Sequence, residues 1–166
     1  MMKYFKPVIS LVSILLFAAT ASLAQQKITT IKFDELQEIR QSPHDTLYVV
    51  NYWATWCKPC IKEMPYFEAA NQQYKDQPVR VILVSMDAVQ DLDTRVIPFV
   101  KKRKLQSRLY LLDEPDGNTW IDRIEPKWSG AIPATMFFNN KRKQYEFVER
   151  ELSEAELQKL INKYKP

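Results

Sequence analysis

Two cysteines, the only ones in this 166-residue chain, lie within one short segment, Trp56-Cys57-Lys58-Pro59-Cys60. The segment follows an apolar, β-branched run and opens a helical pattern, so the sequence predicts a Cys-x-x-Cys pair where a strand gives way to a helix. The first turn of a helix carries unpaired N–H groups and a partial positive charge, and both favour a thiolate over a thiol. This arrangement is typical of a redox-active dithiol.

A structural zinc site and an inert structural disulfide are the two other interpretations of the cysteine pair. A structural zinc site needs four ligands, usually Cys and His, whereas this chain has two Cys and one His, His44, in a predicted loop. A disulfide across two intervening residues closes a very short loop, so it gains little entropy from constraining the unfolded chain. Both interpretations fit the residues less well than redox chemistry does.

Residues 1–24 have the pattern of a secretory signal peptide. Lys3 and Lys6 precede an uncharged, mostly apolar stretch, and the small residues near Ala24 suit cleavage before Gln25. If the segment were kept, it would instead anchor the chain to the inner membrane. We therefore expect an exported protein, periplasmic or in the bacterial cell envelope, with one domain over residues 25–166.

Composition excludes several classes of function. The net charge is +4, and +2 once Lys3 and Lys6 are removed, which is too small to indicate a nucleic-acid partner. Two glycines in the whole chain leave no Gly-rich loop for a phosphate or a dinucleotide. We therefore expect no cofactor, no metal and no nucleic acid.

The order of the predicted elements indicates an α/β protein with a mixed central sheet and helices on both faces. The predicted strands are 27–33, 47–54, 79–86, 108–112, 134–139 and 144–150, the last two forming an antiparallel hairpin. The predicted helices are 34–40, 57–74, 97–105, 118–124 and 153–164. Asp34 and Asn118 are the expected caps of the first and fourth helices, and Ser153 with Glu156 forms a capping box on the last.

The dithiol segment resembles a known family. Trp53-Ala54-x-Trp56-Cys57-x-Pro59-Cys60, with Ile132-Pro133 about seventy residues later before a strand, resembles the thioredoxin superfamily, and more narrowly its exported TlpA/ResA-like thiol–disulfide oxidoreductases. The resemblance extends from about Leu47 to Tyr164. It implies a thioredoxin-like fold.

The resemblance also implies roles for the dithiol. Cys57 would be the exposed nucleophile that attacks a substrate disulfide, and Cys60 would resolve the mixed disulfide. Lys58 and Pro59, between them, would tune the stability of the Cys57 thiolate and hence the reduction potential. Lys58 fits an ordinary exposed lysine equally well.

Three further positions would contact the substrate if the resemblance holds. Pro133 matches the family's cis-proline, whose loop faces the dithiol. The backbone of Ile132 would pair with an extended substrate, and Trp56 would shape the docking surface. Taken without the motif, Pro133 is only a proline at the start of a strand.

Asn51 departs from ordinary thioredoxins, which carry a buried aspartate at this strand position. Asparagine cannot take a proton from the resolving cysteine, and the TlpA/ResA-like pattern offers Glu63 instead. Glu63 lies three residues after Cys60, so the two share a helix face. A partly buried carboxyl there would have a raised pKa and could act as a base, although a surface glutamate near a helix N-terminus has the same pattern.

The resemblance implies an enzyme that reduces protein disulfides, for example in cytochrome c maturation, supplied by a membrane dithiol electron donor. A disulfide oxidase or isomerase of the same fold is the near alternative, because reduction potential rather than fold sets the direction. A thioredoxin-like copper chaperone, using the dithiol and a distant histidine, is the alternative from another class. A thiol peroxidase of the same fold would need a threonine and an arginine near its cysteine in a different local pattern. Thr55 precedes Cys57 by only two residues, which disfavours this alternative.

Overall fold

The computed structural model describes residues 27–166, so the predicted signal segment lies outside the described residues. Six strands form one sheet: β1 (Ile28–Ile31), β2 (Leu47–Trp53), β3 (Val79–Ser85), β4 (Arg108–Leu112), β5 (Ala134–Asn139) and β6 (Gln144–Val148). Five α-helices accompany them: α1 (Phe33–Arg40), α2 (Lys58–Gln73), α3 (Ile97–Arg103), α4 (Ile121–Ile124) and α5 (Glu154–Tyr164).

The sheet is mixed, as predicted. Its strand order is β1-β4-β3-β2-β5-β6; the first four strands are parallel, β5 runs antiparallel to β2, and β6 antiparallel to β5. Six of the seven residues of β2 are buried, because helices cover this central strand on both faces. The pairing places the end of β2 between the end of β3 and the start of β5.

Each face of the sheet has its own hydrophobic core. Alternate residues of β2 point to opposite sides, so Val49 belongs to one core and Val50 to the other. The first core includes Phe67 of α2 and Leu157 of α5, and the second includes Leu36 of α1. Helices on both faces of the sheet confirm the predicted fold class.

Two predicted helix caps are wrong. The helix α1 begins at Phe33, and its N-cap is Lys32, whose backbone N–H donates to the carboxylate of Glu35. Asp34 therefore lies in the first turn, where the helix dipole also favours a carboxylate. Near residue 118 the cap is Asp116, which accepts from the Asn118 N–H and opens a short 3₁₀ turn before α4.

Other differences concern the segment before α3 and the ends of elements. Helix α3 begins at Ile97, as predicted, but follows a 3₁₀ turn and a π turn over residues 89–96 and stops at Arg103. Strand β6 ends at Val148 rather than at 150. Over residues 27–166, none of the helices combines the length and apolar character needed to cross a bilayer.

Candidate active site

The dithiol lies at the junction between β2 and α2. Cys57 is the N-cap of α2, and its Sγ accepts a hydrogen bond from the backbone N–H of Cys60 at 3.3 Å. The two cysteines are joined in a disulfide with their Cα atoms 5.3 Å apart. A thiolate on Cys57 would therefore lie where the orphan N–H groups of the helix converge.

Cys57 is less exposed than expected. Only 4% of its surface is accessible and none of Cys60's is, so the prediction of an exposed nucleophile is wrong for the disulfide form. The backbone carbonyl oxygen of Ile132 lies 3.7 Å from Cys57 Sγ and helps to cover it. Because the sulfur is bonded to Cys60, this approach is a contact rather than a hydrogen bond.

The loop before β5 faces the dithiol. The Ile132–Pro133 peptide bond is cis, as the family resemblance predicts, and β5 begins at Ala134. Ile132 is half-buried and Pro133 is buried. The loop thus brings the backbone of residue 132 beside Cys57 from a point 75 residues away in the sequence.

Trp56 and Lys58 flank Cys57 on the surface. Trp56 is 61% exposed, which is unusual for so large an apolar side chain. Lys58 and Pro59 are exposed as well. Trp53, in contrast, is fully buried and packs against the ring of Phe99 with centroids 5.3 Å apart, so Trp53 belongs to the core.

Glu63 is a fully buried carboxyl on the same helix as the dithiol. One carboxylate oxygen accepts from the Asn51 side-chain amide at 2.8 Å, and the other accepts from the backbone N–H of Leu152 at 2.7 Å. Burial raises the pKa of Glu63 to about 7, against the opposing effect of these two hydrogen bonds. Such a group can exchange a proton near neutral pH, which suits a base for Cys60 three residues earlier.

Two partners of this buried network were not predicted. The Asn51 amide also donates to the hydroxyl of Thr135 at 3.0 Å, and the two residues face each other across the antiparallel pair of β2 and β5. The predicted hairpin joins β5 to β6 only, so it does not indicate that Thr135 lies beside Asn51 of β2. The N–H of Leu152 comes from the approach to α5, and no local pattern in the sequence indicates it.

Asp87 is a functional candidate that the sequence analysis missed. It follows β3, is 2% exposed, and accepts from the Thr55 N–H at 2.9 Å and the Thr55 hydroxyl at 2.5 Å. A buried acid directly after a buried strand was the available signal. The Thr55 hydroxyl thus donates to Asp87, and this bond gives no support to the thiol peroxidase alternative.

His44 lies at the other end of β2. It precedes the strand, whereas Cys57 follows it, and seven strand residues separate the two ends by about 20 Å. In residues 27–166 no group of three or more His, Cys, Asp or Glu side chains comes together in a way that could hold a metal ion. The histidine that a copper-binding interpretation would recruit is therefore far from the dithiol.

The chain is similar in sequence to proteins that are named as thiol-disulfide oxidoreductases or thioredoxin-like proteins. A family model described as the AhpC/TSA family matches residues 17–144. A thiol-disulfide oxidoreductase ResA from Bacillus cereus is 30% identical over 117 residues, which are 70% of this chain and 62% of that protein. The thioredoxin-like protein YneN from Bacillus subtilis is 37% identical over 51 residues, 31% of this chain and 29% of that protein.

Solved structures of similar fold include two bacterial proteins. A thioredoxin family thiol:disulfide interchange protein from Chlorobium tepidum superposes with a TM-score of 0.59 at 16% identity, covering 72% of this chain and 80% of that one. StoA from Bacillus subtilis superposes with a TM-score of 0.53 at 20% identity, covering 69% of this chain and 81% of that one. These similarities establish a thioredoxin-like fold, and because the family model covers most of its length, the chain belongs to the AhpC/TSA family.

Proposed function

We propose that this protein is an exported thiol–disulfide oxidoreductase that reduces protein disulfides through Cys57 and Cys60. The observation that carries the proposal is the disulfide at the N-terminus of α2, facing a cis-proline loop. ResA relatives named as thiol-disulfide oxidoreductases support it. The chain spans less than two thirds of the length of the Bacillus cereus relative, and the geometry of the dithiol site is the main support for the activity.

The reaction would begin with the reduced dithiol. The Cys57 thiolate attacks one sulfur of a client disulfide, forms a mixed disulfide, and expels the other client sulfur as a thiolate. Cys60 then gives its proton to a base, attacks Cys57 Sγ, and releases the reduced client. Glu63 is the proposed base, because it shares a helix face with Cys60 and has a pKa near 7.

The client would approach across Trp56 and the cis-proline loop. Trp56 offers exposed aromatic surface beside Cys57, and the backbone of Ile132 lies against the sulfur. Lys58 and Pro59 would adjust the stability of the thiolate. An extended client segment bearing a disulfide, such as that of an apocytochrome c, fits this description.

Electrons must come from another protein. Reduction of the disulfide takes two electrons, and the sequence offers no nicotinamide or flavin motif to accept them. A membrane dithiol carrier is the proposed donor. Export through residues 1–24, or retention of that segment as an inner-membrane anchor, would bring the chain to such a donor.

Cysteine variants test the proposed chemistry. Cys57→Ser should abolish reduction of insulin disulfides, because no nucleophile remains at the site. Cys60→Ser should accumulate mixed disulfides with clients on a non-reducing gel, because the resolving thiol is gone. Retained reductase activity in the first variant would remove Cys57 as the nucleophile, and the absence of any trapped adduct in the second would remove Cys60 as the resolving group.

A further inference from the structure

Asp87 is held beside the dithiol loop by donors alone. Its two carboxylate oxygens accept from the Thr55 N–H, from the Thr55 hydroxyl, and from the Ser85 hydroxyl at 2.8 Å. An ionised carboxylate is an acceptor only, so the ionised form satisfies all three bonds. The side chain is buried, and the loop it holds leads directly to Cys57.

The carboxylate that carries the negative charge of Asp87 bonds directly to Thr55. Thr55 precedes Cys57 by two residues, so their Cα atoms are at most about 7 Å apart. Asp87 is 2% exposed and Cys57 4% exposed, so both side chains are largely removed from water. Charges interact more strongly under these conditions than at an open surface.

Other charged side chains around the dithiol are exposed or otherwise engaged. On α2, Lys58 is exposed and Lys62 pairs with Glu151 at 2.5 Å. Glu63 lies within the core beneath the pair and bonds to Asn51.

Two further acidic side chains lie near the N-terminus of helix α1. Asp113 pairs with Lys32 at 2.9 Å, and Glu114 accepts from the backbone N–H of Phe33. Within residues 27–166, Asp87 is the charged side chain that bonds directly to the segment between β2 and Cys57.

We propose that Asp87 is a positioning residue that fixes the Thr55–Cys57 segment and, through its charge, disfavours the Cys57 thiolate. Reduction of the disulfide consumes two electrons and two protons, and ionisation of Cys57 then releases one proton. A nearby negative charge makes that ionisation less favourable, so the reduced form is less stable and the couple more strongly reducing. This inference rests on the proposed dithiol exchange and names what biases its direction.

The test measures Cys57 without any client. In the full-length Cys60→Ser protein, the rate of alkylation as a function of pH gives the midpoint for Cys57 ionisation. Asp87→Asn should move that midpoint to lower pH, because it removes the charge and keeps the shape. In the protein with both cysteines, equilibration with glutathione should show the dithiol form favoured roughly three- to tenfold more than in the wild type.

A second variant covers the case in which Asp87→Asn does not fold. Ala88 is exposed at the rim of an open cleft of about 370 Å³, so Ala88→Lys adds a cation beside Asp87 without changing the core. It should move the midpoint in the same direction, and Ala88→Gln should not. An unchanged or raised midpoint in Asp87→Asn and Ala88→Lys would overturn the proposal.

Thr55→Val separates charge from position. It removes one hydrogen bond and keeps the carboxylate, so the midpoint should not fall. A fall equal to that of Asp87→Asn would mean that loop geometry alone, not charge, controls Cys57 and would overturn the electrostatic part. Because alkylation and glutathione equilibration need no client, both readouts stand even if insulin reduction fails.

Discussion

Glu63 is the residue at which burial and hydrogen bonding compete most directly. Removal from water favours the protonated carboxyl, while the Asn51 amide and the Leu152 N–H favour the carboxylate. Burial dominates, and the pKa settles near 7 rather than near 4.5. The same balance that makes Glu63 a usable base also makes it a source of pH-dependent stability.

Glu63→Gln should remove that pH dependence. The protonated carboxyl is favoured in the folded state, so its stabilising contribution is complete below pH 4.5 and is lost as the pH rises through about 7. The shift from 4.5 to about 7 corresponds to a contribution of about 3 kcal/mol. Urea unfolding of the oxidised wild type should show this loss between pH 4.5 and 8, and Glu63→Gln should not.

Enzyme kinetics give the second readout for the same variant. Disulfide reduction should slow by about 100-fold or more, and the rise in rate near pH 7 should disappear, because no base remains for Cys60. Glu154→Gln, which removes an exposed carboxyl of α5, is the matched control. If both variants keep the wild-type pH profile, Glu63 has a structural role in the core and does not act as a base for Cys60.

Among the helices, α5 is connected to the candidate site through the residues at its N-terminus. Ser153 caps the helix: its hydroxyl accepts from the Glu156 N–H, and the Glu156 carboxylate accepts from the Ser153 N–H. The residue before the cap, Leu152, gives its N–H to Glu63. The predicted capping box is therefore confirmed, and it orders the backbone donor that the buried carboxyl uses.

Ser153→Ala should lower the free energy of unfolding by about 1 kcal/mol, the usual effect of losing an N-cap side chain. Chemical denaturation at constant pH measures this loss. Ser153→Asn supplies another capping oxygen and should retain most of the stability. Equal losses in the two variants would mean that the position acts through packing rather than through the cap.

At the scale of the whole molecule, the order of strands in the sheet brings the parts of the candidate site together. The dithiol follows the carboxyl end of β2, Asp87 follows β3, and the cis-proline loop precedes β5, which pairs with β2. Open α/β sheets carry their sites at the carboxyl ends of parallel strands for this reason. The result is a small, nearly buried disulfide with one exposed aromatic side chain beside it.

The reduction potential of the Cys57/Cys60 couple is the property that this arrangement should set. We expect a value near or below that of thioredoxin, about −270 mV, because Asp87 opposes the thiolate that the helix dipole favours. Equilibration of the protein with dithiol buffers measures it. A value near −120 mV, that of the strong oxidant DsbA, would make the protein a disulfide donor, with Lys58 the first residue to replace.

Local patterns in the sequence were sufficient for much of this protein. Apolar runs predicted β2 and β3, the Cys-x-x-Cys predicted the disulfide, and resemblance to a family predicted the cis-proline at position 133. The helix caps Asp34 and Asn118 were wrong, because an acid or amide in the first turn resembles a cap in sequence. The fold class and the dithiol are thus encoded by short segments whose pattern and spacing can be read from the sequence.

Only the tertiary structure decided the surroundings of those residues. Thr135 contacts Asn51 across 84 residues of sequence, and Leu152 contacts Glu63 across 89. The loop at Ile132 covers Cys57 across a separation of 75 residues. Asp87 meets Thr55 because β3 lies beside β2. The sequence by itself determined which groups can react, since residue type and local periodicity carry that information. Strand order determined how exposed, charged and hydrogen-bonded they are, because those contacts join segments distant in the chain.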